Sequence, residues 1–582
     1  MRLPRPLAAV AAALALFPAA LGAQHHYQCG APPPLTEPRV PLWEGVDGTV
    51  KFDRVSASDS AQRYFEQGLA LIYGFNHLES VLSFRKAAQF DRDCAMCYWG
   101  VAIALGPNIN ERINAQRWRM AVAHADTAWR RRSGDPVQRA YLEAALKRYE
   151  LPSTPIENLS AAEFARVRGQ RDTAYAIAME DVWFRSGQRD LTAGAMYTEA
   201  MMDLHPWDLW DEDGTSKWPT TDLALNVLRE VLRQKRDHVG AAHLWIHMLE
   251  GSHHPDMALE QADMLERLMP GSAHITHMPS HIYHRVGRYA KGVAHNERAT
   301  AEDRAYLAYR PQWMWRYPMY FAHDHDFLWV SATFAGMRDQ ATASADSLRG
   351  IFGASGQAGA QLIECYPNAQ HFLAAPILVA VRFGEWERAT RVARPDTAYH
   401  FPTGVWHYGQ GWARLRMGDV AAAARHRDSV TAIALQLVGD TISNNSAADL
   451  LRIQGLTLTG EILASQHRYP EAIAALDEAV RMQDRLNYDE PPPFFYPARH
   501  SLGAVLVESG VRANAERATY VYLTDLGDRD EHDYSVKRNP ENAWAYVGMA
   551  NAVRALGIDP SQWLARARGA WQGGELPPSS RY

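Results

Sequence analysis

The chain has 582 residues, of which 47% are hydrophobic, 22% charged and 10% aromatic, and its formal net charge is −6. This composition excludes a disordered protein, and the length exceeds what one compact core serves, so several domains or a repeat array are expected. The basic residues are dispersed rather than gathered into a stripe, which argues against a nucleic-acid partner.

The first segment predicts a secretory leader over residues 1–23. Arg2 and Arg5 form a short basic region, Leu7 to Phe17 an apolar stretch, and Leu21 to Ala23 a small-residue cleavage site. The expectation is therefore an exported, soluble protein, periplasmic or secreted, with no later apolar run long enough for a membrane span. Cleavage after Ala23 would leave Gln24-His25-His26, a short pattern able to chelate copper or nickel. Residues 24–57 read as an extended Pro-rich arm. Of the four cysteines, Cys29, Cys94, Cys97 and Cys365, a disulfide is the default reading in an oxidising compartment. Cys94 and Cys97 can pair locally, with a redox or metal-binding pair as the alternative, and the full pairing stays open.

From residue 58 a pattern recurs: an apolar helix containing a small residue, a tight turn, then a second helix with small residues followed by an aromatic or aliphatic one. Copies begin at Phe75, Gly287, Gly336, Gly384, Gly418, His467 and Gly510, with spacings clustering around 34 to 50 residues. Stacked helical hairpins with insertions fit this period. Gly68, Ala102, Gly460, Gly503 and Ala550 occupy the place where paired helices approach closely. The predicted fold is all-α, a tetratricopeptide-like solenoid of right-handed superhelical form. Its parts are N-terminal repeats over 58–235, His-rich repeats over 236–350, C-terminal repeats over 351–572 and a tail over 573–582. Three stretches interrupt it: a Trp-rich loop at 203–221, and aromatic-rich segments at 308–320 and 487–497. Aromatics at that density are costly on exposed loops, so these should fold back over the repeats.

Ten of the 24 histidines lie between residues 238 and 295. His243, His247 and Glu250 are spaced i, i+4, i+7 on one helix face. His274, His277, His281 and His284 fall within about 80° of one another at 3.6 residues per turn. His243 and His277, His247 and His281, and Glu250 and His284 are each 34 residues apart, one repeat length. Adjacent first helices should therefore bring the rows together. The next first helix, counted back from Gly336, aligns His323 with His274 and Asp326 with His277. Pro279 should kink the helix that bears His277 and His281 or shift its start. Imidazole and carboxylate from adjacent helices suit a divalent ion, with zinc, copper, iron and manganese all accepting such donors. The expected ligand set is His243, His247, Glu250, His274, His277, His281, His323 and Asp326.

The chain resembles a family of exported bacterial tetratricopeptide-repeat proteins. The likeness is carried by "DCAMCYWGVAIALGPNIN" (93–110), "LHPWDLWDEDG" (204–214), residues 241–289, "PPPFFYPARHSLGAVL" (491–506) and "NPENAWAYVGMANAVRALG" (539–557). It implies the repeat fold and a shared histidine pattern at His243, His247, Glu250, His274, His277, His281 and His323, and no particular reaction. Where such relatives carry an "HN-x-H" pattern, this chain has "HDHD" at 323–326, so Asp326 replaces an imidazole and His325 should face the packing side. Two functions follow as expectations. One is a concave groove holding a divalent metal for binding or for catalysis, with Glu250 or Asp326 as general base. The other is a metal-free scaffold that grips a peptide or protein segment.

Overall fold

The computed structural model describes residues 39–313, 318–353, 362–494, 496–527 and 535–582. The leader over 1–23, the motif ending at His26, Cys29 and part of the 308–320 segment lie outside the described residues. The fold is all-α, built from helical hairpins of the tetratricopeptide-like kind. Among the described residues, β structure is confined to the two-residue strands Thr441–Ile442 and Asn445–Ser446 and two isolated bridges. No described helix is long and apolar enough to cross a membrane. The chain divides into two compact units, Met1–Met248 with Met264–Ile275, and Leu249–Asp263 with Thr276–Tyr582.

In the first unit the opening hairpin pairs helices Asp59–Tyr73 and His77–Phe90. Ser58 and Asn76 cap their N-termini, each accepting from a first-turn backbone N–H that has no helical partner. Between them Phe75 takes a left-handed conformation, φ 54°, and the Asn76 N–H reaches back to the Leu71 carbonyl at 2.9 Å. That bond closes the first helix in the manner usually left to glycine. The Phe84 ring is fully buried and lies between Gly68 and Gly100, where added Cβ atoms would collide with it. Small residues thus admit the ring, and the ring fills the space they leave. Cys94 and Cys97 form a disulfide beside the start of helix Ala95–Ala104. The Trp-rich insertion is ordered: Trp218 stacks on His205 at 3.9 Å, and the Trp210 Nε1–H donates to the Met248 carbonyl at 2.8 Å.

The second unit repeats the same turn. Gly287, Gly336, Gly384 and Gly418 all have φ between 68° and 88°, and His467 takes the same region at 59°. After each, a backbone N–H returns to a carbonyl five residues earlier: Arg288 to Tyr283, Met337 to Ala332, Glu385 to Ala380, Asp419 to Arg414 and Arg468 to Leu463, at 2.7–3.0 Å. This is how a chain lacking further helical donors satisfies its last carbonyls before reversing. Gly460 packs against Leu476, and Tyr522 sits between Gly503 and Gly548. The 487–497 segment folds back within this unit, placing the Tyr488 hydroxyl on the Glu250 carboxylate at 2.9 Å.

Candidate metal centre

The expected break at Pro279 is present. Helix Ala273–His277 ends, and Pro279 opens helix Pro279–Arg285 at its first turn, where its missing N–H costs nothing. The histidines form two groups that the break does not separate: His274 and His277 share the helix before it, and His277 joins His281 from the helix beyond it.

In the second unit His277, His281 and His323 bring one ring nitrogen each within 4.8 Å of one another. The His277 and His281 Nε2 atoms are 2.7 Å apart, and His323 Nε2 lies 3.4 Å from His281 Nε2. Nε2 atoms sharing a tetrahedral ion at about 2.0–2.1 Å would be separated by about 3.3 Å. The opposite ring nitrogens identify the tautomers. His277 Nδ1 faces two acceptors, Asn296 Oδ1 at 2.5 Å and Asp324 Oδ1 at 3.1 Å, so it carries a proton. His281 Nδ1 faces the carboxylates of Glu250 and, at 2.9 Å, Glu490, so it too must donate. Burial by itself would lower the His281 pKa, but Glu250 and Glu490 outweigh it and hold the ring up at about 10. His277 moves the other way, pushed down by burial and by the His281 and His323 rings. Phe327, one turn beyond His323, covers the group with its ring 4.4 Å from that of His281 and 5.1 Å from that of His277. A cavity of about 90 Å³ borders His281, lined also by Arg285, Tyr488, Glu490, Arg499 and Asp525. Of the three histidines only His323 is partly exposed.

In the first unit His243, His247 and His274 form an equivalent group, all three buried. His243 Nδ1 donates to the Tyr73 carbonyl at 2.6 Å, and its Nε2 lies 3.1 Å from His274 Nε2. Phe75 stacks on His247 at 5.6 Å and on His274 at 5.4 Å and meets His243 edge-on at 4.6 Å.

The pairing differs from the 34-residue register. His243 meets His274, and Glu250 meets His281, each 31 residues on. A repeat period determines which face a helix presents, but not how far neighbouring helices slide along their axes, and one turn of slide gives this offset. Glu250 meets His281 at Nδ1 and also accepts from Tyr488, so it lies at the ring nitrogen opposite the Nε2 atom that faces His277. Asp326 belongs to neither group: it accepts from Trp329 Nε1 at 2.6 Å and pairs with His371 at 3.6 Å. The carboxylate at His277 is Asp324 instead. His325 faces the packing side, its Nδ1 bonded to Ser344 at 2.8 Å. His284 packs edge-on against Tyr289 and Phe334, kept neutral by burial and by Arg285, with its pKa pushed down to about 3. Glu490, Tyr488, Asp324 and Asn296 were not singled out in the sequence. For the first two, the aromatic, Pro-rich stretch at 487–497 was the available signal.

No known family matches the chain, and no curated protein matches it. Among solved structures it is similar to the APC/C hetero-tetramer Cut9–Hcn1, with 13% identity, 89% of this chain and 79% of that chain covered, and a TM-score of 0.28. It is also similar to the human IFIT1 dimer with PPP-AAAA, with 14% identity, 74% and 96% covered, and a TM-score of 0.30. The yeast Tom70 structure matches at 9% identity, 88% and 95% covered, and a TM-score of 0.23. At such scores these likenesses bear on neither site nor function.

Proposed function

We propose that this is a metal-binding helical-repeat protein whose ion is held by the Nε2 atoms of His277, His281 and His323, with a small cavity bordering the His281 ring. The observation that carries the reading is tautomeric. His277 and His281 have their Nδ1 protons committed to acceptors, so their Nε2 atoms face one another 2.7 Å apart across the proton that Glu250 and Glu490 hold on the His281 ring, and a divalent cation would take that proton's place with a lone pair from each ring. Zinc, copper, iron and manganese are the ions such donors serve, and any of them would supply Lewis acidity toward a polar ligand or a water. Glu250 and Glu490 fix the His281 ring and make it a stronger donor, Asn296 and Asp324 do the same for His277, and Phe327 keeps solvent off one side. The cavity beside His281 has room for a few waters or a small polar ligand. In this proposal the leader read at residues 1–23 directs the protein out of the cytoplasm.

A second reading, a scaffold that grips an extended peptide, is favoured by how the second unit holds its own residues 580–582. Arg382 donates to the carbonyls of Ser580 and Arg581 at 3.0 and 3.2 Å, and Tyr496 to that of Arg581 at 2.6 Å. The buried Arg581 side chain pairs with Glu461 and Glu508 at 3.2 and 2.7 Å. Elemental analysis separates the two readings. Protein purified without an affinity tag is expected to carry metal that a His281→Ala/His323→Ala variant loses. Equal metal content in both proteins, or none in either, refutes an ion at His277, His281 and His323.

A further inference from the structure

We propose that His243, His247 and His274 hold a second metal ion inside a closed aromatic shell completed by the Trp-rich insertion. The ion belongs to the borderline class that imidazole serves, zinc or copper foremost.

Three observations carry this. The first is the donor set. His243 gives its Nδ1 proton to the Tyr73 carbonyl and so presents an unprotonated Nε2, 3.1 Å from His274 Nε2, close to the edge of a tetrahedron around one ion. His243 and His247 stand one turn apart on helix Val239–Glu250, their rings 4.7 Å apart, and His274 comes from the short helix Ala273–His277. Two elements therefore deliver three donors to one point.

The second observation is the wall. Phe75 touches all three rings, and it does so from a left-handed backbone conformation that a bulky residue rarely adopts. Trp207 has the same conformation, φ 62°, and meets His247 edge-on at 5.6 Å. Among the described residues, the two bulky aromatics Phe75 and Trp207 with positive φ thus both reach His247.

The third is how the wall is held. The insertion carrying Trp207 is tied to helix Val239–Glu250 through the Trp210 bond to Met248. Its Trp218 is locked against His205 and donates to the Asp208 carbonyl at 2.7 Å. The long interruption of the repeats thus has a physical role, which is to shield a buried cation site from water. His243, His247 and His274 are between 1% and 3% exposed, whereas the other group has the partly exposed His323. The enclosed group is suited to retaining an ion, the other to exchanging ligands.

The test is zinc stoichiometry. Tag-free full-length protein is stripped with a chelator, reloaded with zinc alone and weighed by native mass spectrometry. The wild type should bind two equivalents, and His243→Ala/His274→Ala and His281→Ala/His323→Ala one each. Loss of zinc in the first variant but not in the second would sink the proposed function and leave this inference standing. Wild-type zinc content in His243→Ala/His274→Ala, or no zinc in the wild type, overturns it. Should that variant fail to fold by circular dichroism, His247→Gln is judged by the same count. Trp207→Ala retains every ligand, so it should keep two equivalents but release one to chelator at least about tenfold faster. An unchanged release rate refutes the closed shell.

Discussion

Replacing Glu250 by Gln changes one buried carboxylate to an amide of the same shape. The wild-type side chain is fully buried and accepts from both His281 Nδ1 and the Tyr488 hydroxyl. Both donors meet the same oxygen, Oε2, so the glutamine oxygen can still accept from both; what is lost is the negative charge, which turns the charge-assisted hydrogen bond from His281 into a neutral one and makes the ring a weaker donor. A charge-assisted bond is worth about 1.5–3 kcal/mol against about 0.5–1.5 kcal/mol for a neutral one, and 1.4 kcal/mol is a tenfold change in an equilibrium constant. The expected weakening of metal binding at the His277, His281 and His323 group is therefore about 5- to 12-fold, at the lower end of the about 10- to 100-fold cost usual for partners of ligand-bearing histidines. Competition of the loaded protein against a chelator of known affinity measures it, with cobalt as an absorbing substitute for zinc. An affinity within twofold of wild type would refute the assignment of Glu250 as the residue that positions His281, since the carboxylate charge would then contribute nothing to the donor ring.

Gly68→Ala places a Cβ 2.8 Å from the Phe84 ring, which Gly100 confines from the other side. The first unit should lose about 1–3 kcal/mol in urea unfolding. Gly169→Ala, in an exposed helix with open space at its Cβ, should be neutral or stabilising by up to about 1 kcal/mol, and equal losses in both variants would contradict the packing described. Asp525 is fully buried and accepts from His500, Asn539 and Asn542 at 2.8–3.0 Å. Burial would raise its pKa, but His500 wins and holds it below the usual carboxylate value of about 3.9. A depressed folded pKa means stability that is present above about pH 4 and lost as pH falls through the folded value. Asp525→Asn should therefore destabilise at pH 7, with the gap to wild type closing below about pH 4 in thermal unfolding, and parallel curves would refute the assignment.

The hairpin architecture was legible in the sequence because it depends on local, periodic requirements. A helix needs a residue tolerant of positive φ to reverse, and Gly287, Gly336, Gly384 and Gly418 supply it at the positions where the repeats were read to turn. Two close-packed helices need a missing side chain opposite a large one, and Gly68 with Phe84 or Gly503 with Tyr522 announce that pairing. The helix face bearing His243 and His247 followed from the same 3.6-residue period, as did the orientation of His325 toward its packing neighbour.

What the period could not contain is axial slide and long-range return. One turn of slide joined His243 to His274 and Glu250 to His281 rather than the residues one repeat away, and His274 and His277, neighbours on one short helix, went to different groups. Glu490 and Tyr488 reach Glu250 and His281 from more than 200 positions along the chain, a distance at which no local pattern constrains them. Asp324 took the place expected for Asp326 for a similar reason: which carboxylate of "HDHD" meets a ring depends on how its helix is rotated against its neighbours. Local stereochemistry fixed the hairpins and the histidine-bearing faces in the sequence itself; tertiary packing chose the partners, because that choice balances contacts between segments that share no period.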